Sequence, residues 1–255
     1  MKPKEKSAEV VIQEIKTGLL DVCVVGITPL IFNRMSEKAW RELLLPAPPK
    51  NRAAKAAVLK HEPLQEYRAS VYRTKDKDAK TELMLPVQCF KGAAITAALD
   101  LPGSSKSQMG RLIWIVDRWV SIYGVPQLSM MIVRQAGMNR APDVRTRAVV
   151  PEWAARFRVQ FVEPILTAQS VINCLAAGGL VAGVGDFRQE KGKGNFGQYR
   201  ICTEDDPEYK RIIATGNRKA QAAALEKPEA FDEDAESLLA WYGTEIRRRG
   251  VKVVA

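Results

Sequence analysis

The chain has one histidine, His61, and four scattered cysteines, Cys23, Cys89, Cys174 and Cys202, with no CxxC pair among its 255 residues. A zinc site needs clustered thiolate and imidazole ligands, so this pattern excludes one. No GxxxxGK[ST] phosphate loop occurs. The one glycine-rich stretch follows a helical pattern instead of a first strand, which is the wrong context for a dinucleotide loop. The sequence is therefore read as having neither metal nor cofactor. Long apolar runs are also missing. The longest, Val171 to Val184, is too short for a membrane span and is interrupted by Asn173, Gly178, Gly179 and Gly183. The start, Met-Lys-Pro-Lys-Glu-Lys, lacks the apolar run of a signal peptide. Reduced thiols in core positions complete the expectation of a soluble, cytoplasmic protein with no membrane partner.

Acidic residues are in deficit: 29 against 39 Lys and Arg, a formal charge of +10. The imbalance is confined to one part of the chain. Residues 203–255 hold 9 basic and 11 acidic residues, which leaves 30 against 18 in residues 1–202. A body this basic favours a polyanionic partner through counterion release.

What is present is an alternation of strand and helix patterns. Gly18 to Ile27 reads as a strand, closed by Thr28-Pro29-Leu30 because proline cannot extend a central ladder. Ser36 caps a short helix, Glu37 to Leu45, stopped by Pro46, Pro48 and Pro49. Residues 46–85 read as an insertion standing out from the core, with a short helix at Ala53 to Lys60 and a hairpin tip or loop at Arg73–Lys80. Pro86 opens a helix with Val87, Phe90, Ala94, Ile95, Ala98 and Leu99 on one face. Residues 111–123 fit helix or strand equally, and Gln127 to Val133 is strand-like. Residues 134–148 read as an irregular, arginine-rich segment: Arg134, Arg140, Arg145 and Arg147 against Asp143 alone. Ala154 to Val162 alternates cleanly, Phe157, Val159 and Phe161 against Arg156, Arg158 and Gln160, as a half-buried strand does. That polar face is either an RNA platform or a solvent-facing surface. Thr167 caps a helix to about Ala177, Gly197 to Cys202 is a last strand, and two helices are expected near 208–225 and 232–248.

The resulting order, strand, helix, strand, strand, helix, strand, predicts an α+β fold with a ferredoxin-like, RRM-like βαββαβ core. The domain would occupy 1–202, with the insertion at 46–85 and the arginine loop at 134–150. A helical C-terminal appendage would follow at 203–255.

Chemistry concentrates in GVGDFRQEKGKGNFGQYRI, Gly183 to Ile201. Gly183, Gly185, Gly192, Gly194 and Gly197 let a backbone approach a ligand closely. Arg188, Lys191, Lys193 and Arg200 bring positive charge against Asp186 and Glu190. Phe187, Phe196 and Tyr199 offer flat faces on which a base can stack. Amides, cations and aromatic faces together suit a phosphodiester strand, RNA or single-stranded DNA. The four arginines of 134–148 either clamp phosphates or pair with the acidic tail.

In this arrangement the sequence resembles the RAMP superfamily, the ferredoxin-like RNA-binding subunits of CRISPR effector complexes. Two ends carry the resemblance: Thr28-Pro29-Leu30 after the first strand, and the Gly183–Gly197 loop before the last. It spans roughly residues 17–202. The resemblance implies a non-catalytic subunit that coats guide RNA as a head-to-tail oligomer beside other effector subunits. It also implies an alternative, a metal-independent endoribonuclease with His61 as general base and Lys60 and Tyr67 as auxiliaries. Some subunits of the family carry a target-cutting aspartate in a loop; Asp76 and Asp78 lie in the charged insertion here, although a charge run is usually a solvated loop. A phage single-stranded DNA-binding, annealing or structural protein is the remaining alternative.

Overall fold

The computed structural model describes residues 14–45, 61–134, 141–191 and 194–249. The expected helix at Ala53–Lys60, together with Arg140, Gly192 and Lys193, lies outside these residues, as does the side chain of Lys191.

The first strand, β1 (Lys16–Gly26), is the spine of the molecule. Its last turn-free run, Val22 to Val25, is buried on both faces, as a continuous apolar run requires. On one side it pairs antiparallel with β9 (Ala154–Glu163), from Lys16 opposite Glu163 to Val25 opposite Ala154. On the other it pairs with the short β10 (Tyr199–Cys202), Cys23 opposite Cys202 and Gly26 opposite Tyr199. Beyond β9 the sheet continues through β6 (Trp119–Tyr123), β4 (Leu83–Pro86) and β3 (Tyr72–Arg73), while β5 (Ile113–Ile115) also pairs with β9. A second sheet of three strands has the order β2 (Leu30–Ile31), β8 (Pro142–Val150), β7 (Gln127–Arg134).

Two helices cover one face of the main sheet. In α3 (Val87–Ala97), Phe90, Ala93, Ala94 and Ala97 are buried; in α5 (Ala168–Ala177), Val171, Cys174 and Leu175 are. Thr167 caps α5 as expected, accepting from Ser170 N at 3.2 Å. Phe157, Val159 and Phe161 of β9 meet these helices, and Arg156 and Arg158 face away. The core centres on Phe90, Trp153, Phe157 and Tyr199, whose rings lie 4.6 to 6.5 Å apart. Each large side chain buried here contributes about 2–3 kcal/mol. This mixed α+β architecture, with β10-β1-β9-β6 adjacent and helices α3 and α5 on one face, is consistent with a ferredoxin-like core.

Three sequence readings change. The strand beside β9 in the main sheet is β5 with β6, from the ambiguous 111–123 stretch. The strand expected at 127–133 belongs to the second sheet instead. The break at Asp117-Arg118 splits an otherwise readable pattern into two short pieces. Residues 142–150 are a strand and not an irregular loop, because Asp143, Arg145 and Arg147 alternate with Val144, Thr146 and Ala148. Residues 63–85 pack into the core and do not stand out from it: Tyr67, Val71 and Leu83 are fully buried. Their helix is α2 (Pro63–Ala69), and α1 (Glu37–Leu44) precedes it, capped by Ser36. A further short helix, α4 (Lys106–Leu112), leads into β5.

The tail holds three helices where two were expected: α6 (Pro207–Thr215), α7 (Arg218–Glu226) and α8 (Glu233–Arg249). Asn217 caps α7 and divides the first pair. The tail is fastened by Gln221, which is fully buried. Its amide nitrogen donates to the Ile122, Gly124 and Gly216 carbonyls at 2.8 to 3.1 Å. Its oxygen accepts from Glu82 N at 2.7 Å and Leu83 N at 3.0 Å. At roughly 1 kcal/mol net per bond, this side chain is a principal tie between tail and sheet.

Candidate nucleic-acid interface

The two ends that carried the family resemblance meet in space. Gly197 N donates to the Pro29 carbonyl at 2.8 Å, Gln198 N to Thr28 Oγ1 at 3.0 Å, and Asp186 N to the Ile31 carbonyl at 3.0 Å. Trp153 Nε1 adds a bond to the Thr28 carbonyl at 2.9 Å, fixing the turn from below. The glycines serve this closure. Gly197 has φ 74°, and a Cβ there would collide with the Val184 carbonyl. Gly185 has φ 82°, and a Cβ would come within 2.6 Å of the Ile31 carbonyl. Gly183 and Gly194 likewise face their own chain. Cys89 of α3 lies against the same loop. Burial pushes its thiol pKa up, while a backbone hydrogen bond to Gly185 and the charge of Arg188 pull it back.

Of the three aromatic residues expected as stacking faces, one is displayed. Phe187 is 45% exposed and takes a positive φ of 49°, an uncommon conformation for a bulky residue. It packs against the half-buried Phe196 at 6.0 Å between ring centroids. Tyr199 is 0% exposed in the core, so it offers no surface to a base; no local pattern marks which side of β10 faces inward. Two exposed apolar residues, Leu180 and Val181, are carried on the π-helical turn Gly178–Ala182 that extends α5; they were not anticipated from the sequence, and the Leu180 carbonyl accepts from Gln198 Nε2 of the same loop at 2.9 Å. Arg188 turns back on the loop, bonding the Gly185 carbonyl at 3.0 Å and Glu190 at 2.7 Å. Lys191 ends a 3-10 turn, Gln189–Lys191.

The arginines of the β7–β8 hairpin divide between its faces. Arg145 and Arg147 lie on the face of Asp143, opposite Met131 and Ser129 in register. Arg134, opposite Pro142 and exposed, falls on the other face and is not brought to them. Arg145, Arg147 and Asp143 line a cleft of about 500 Å³ with Arg34, Ser36, His61 and Glu66. Arg34, missed in the sequence, enters from the linker after β2, where its N–H donates to the Ser70 carbonyl at 2.7 Å. Arg147 is the bridge to the glycine-rich loop: its Nη1 donates to Asp186 Oδ2 at 2.5 Å. Burial pushes the Arg147 pKa below the ordinary arginine value; Asp186 opposes that shift and the neighbouring Arg145 adds to it.

His61 sits in this cleft with both ring nitrogens engaged. Nδ1 lies 2.8 Å from Glu66 Oε1, and Nε2 lies 3.0 Å from Asp143 Oδ1. In this arrangement neither nitrogen offers a lone pair to a 2′-hydroxyl, which a general base must do. Tyr67, the expected auxiliary, is buried and donates to the Pro126 and Ala224 carbonyls, both at 3.1 Å. Lys60 lies outside the described residues. Asp76 is used locally, its Oδ1 accepting from Asp78 N at 3.0 Å. On the outer face of the main sheet, Arg156 pairs with Glu204 at 2.7 Å and Asp21 at 3.4 Å, which makes a solvated ion-pair network of the supposed platform.

Among the described residues no helix is long and apolar enough to cross a membrane. No protein-family model and no curated protein matches the chain. Among solved structures it is similar, at 10% identity and a TM-score of 0.40, to a chain in the cryo-EM structure of the type III-B Cmr-beta complex bound to cognate target RNA. The match covers 74% of this chain and about 60% of that one.

Proposed function

We propose that this protein is a non-catalytic RNA-binding subunit of a CRISPR-type effector complex, a RAMP-like protein that lines up head-to-tail on single-stranded guide RNA beside other subunits. The observation that carries the reading is the junction of the Thr28-Pro29-Leu30 turn with the glycine-rich loop. The two segments that resemble the family lie about 170 residues apart in sequence and are joined by direct hydrogen bonds. Around that junction stand an exposed aromatic ring, Phe187, and the exposed cations Arg34 and Arg145. Arg188, Lys191 and Lys193 add positive charge within the glycine-rich stretch of the sequence, and Arg134 and Arg140 within the arginine-rich stretch. Cations supply sequence-independent affinity for a phosphodiester chain, and an aromatic face supplies stacking. The reading needs no catalytic group, metal or cofactor, and the doubly engaged His61 fits a binding role better than a cutting one.

Purification without added nucleic acid tests it. The expected product is a large particle that RNase dissolves and high salt disperses. Oligonucleotides of identical sequence in RNA and DNA form then separate the two polymers, since contacts to the 2′-hydroxyl favour RNA. A nucleic-acid-free monomer that ignores both polymers at low salt would sink the proposal.

A further inference from the structure

We propose that the cleft beside β8 holds one phosphate of the bound single strand, and that this phosphate replaces the Asp186 carboxylate on Arg147. The inference rests on the RNA-binding reading and names where in the protein that binding exchanges partners.

The charges of the cleft divide into two groups. Glu66 and Asp143 both face His61, so the acidic half is engaged within the cleft. The basic half is Arg34, Arg145 and Arg147. Among the described residues neither Arg34 nor Arg145 pairs with a carboxylate, and both are exposed. Only Arg147 has a counter-charge, and it comes from the glycine-rich loop.

That pairing leaves Arg147 partly unused. The side chain is 14% exposed, and its Nε is buried with no hydrogen-bond partner among the described residues. A guanidinium presents its donors as a rigid fork that two oxygens of one phosphate match. A single Asp186 oxygen engages one arm of it. A phosphate entering from the cleft can take Nη1 and Nη2 together, end-on, so that the Asp186 oxygen on Nη1 must leave, while Arg34 and Arg145 meet its remaining oxygens. The exchange needs little motion. The Asp186 backbone is tied to Ile31, and its carboxylate, 34% exposed, can turn to solvent without moving the loop. Asp186 thus acts as a built-in competitor that occupies Arg147 until nucleic acid arrives.

The test measures binding of a labelled oligouridylate across a salt series, with melting curves for every variant. Asp186→Asn removes the competitor and is expected to tighten binding about five-fold. Arg147→Lys keeps the charge and loses the fork, and is expected to weaken binding about ten-fold. Arg145→Gln is expected to lower the slope of log affinity against log salt by about one. Unchanged or weaker binding by a normally folded Asp186→Asn variant overturns the exchange. Should that variant fail to fold, Arg145→Gln and Arg34→Gln decide, because both residues are exposed; an unchanged salt slope in both overturns the subsite. If wild type still binds the oligonucleotide in that case, the RNA-binding reading stands alone. A wild type that does not bind takes both down. Thermal stabilisation by inorganic phosphate with identical oligonucleotide affinity in all variants would indicate a free-phosphate site and overturn the backbone assignment.

Discussion

The glycine-rich loop and the arginine face of β8 are joined through Arg147 and Asp186, yet they spend their bonding capacity differently. In the loop, backbone amides and glycine clearances go to the chain itself: to Pro29, Thr28, Ile31 and Val184. On the β8 face, Arg145 and the neighbouring Arg34 point into an open cleft with no carboxylate partner among the described residues. The loop is thus a structural closure that displays one ring, and the cleft is the region with spare charge. Glycine content alone does not separate these roles, because the same freedom from a side chain serves self-packing and ligand approach alike.

The comparison can be broken at three points, in decreasing order of effect. Gly197→Ala should be the most damaging, because it forces a side chain onto a backbone of φ 74° and into the Val184 carbonyl. A loss of about 3 kcal/mol or more in urea unfolding is expected. A loss below about 1 kcal/mol would mean that the loop is not the closure described. Tyr199→Phe should act in the opposite direction. The Tyr199 hydroxyl is buried with no partner among the described residues, so its removal should stabilise the protein by about 1 kcal/mol and leave nucleic-acid affinity untouched. Weakened binding in this variant would return Tyr199 to the interface. Arg145→Gln should change stability by less than about 0.5 kcal/mol, as expected for an exposed residue that holds nothing in place. A larger loss would show that the cleft arginines are structural after all.

Much of the fold was legible because its signals are local. The run Val22 to Val25, the Ser36 and Thr167 caps, and the alternation of Phe157, Val159 and Phe161 each declare their element within a few residues. The parts that were not legible depend on distant partners. The role of Gly185 depends on the Ile31 carbonyl, more than 150 residues earlier. Tyr199 lies between Gln198 and Arg200, polar neighbours that give no hint of the aromatic cluster it enters. Arg145 and Arg147 were legible as charge, but their separation from Arg134 requires the hairpin register. Arg34 and the carboxylates flanking His61 had no sequence signal, since each comes from a different element.

Gln221 has a consequence for how the chain is made. Glu82 and Leu83, at the start of β4, donate to a side chain 139 and 138 positions later, and β1 finds β9 and β10 at comparable range. Contacts this remote carry a large loop-closure cost and slow the final collapse. As synthesis proceeds from the N-terminus, β1 leaves the ribosome well before its partners β9 and β10 exist. β1 must therefore wait with open edges until β9 and β10 have emerged, and a chain released before Gln221 would leave the Glu82 and Leu83 amides without the side-chain oxygen that accepts from them.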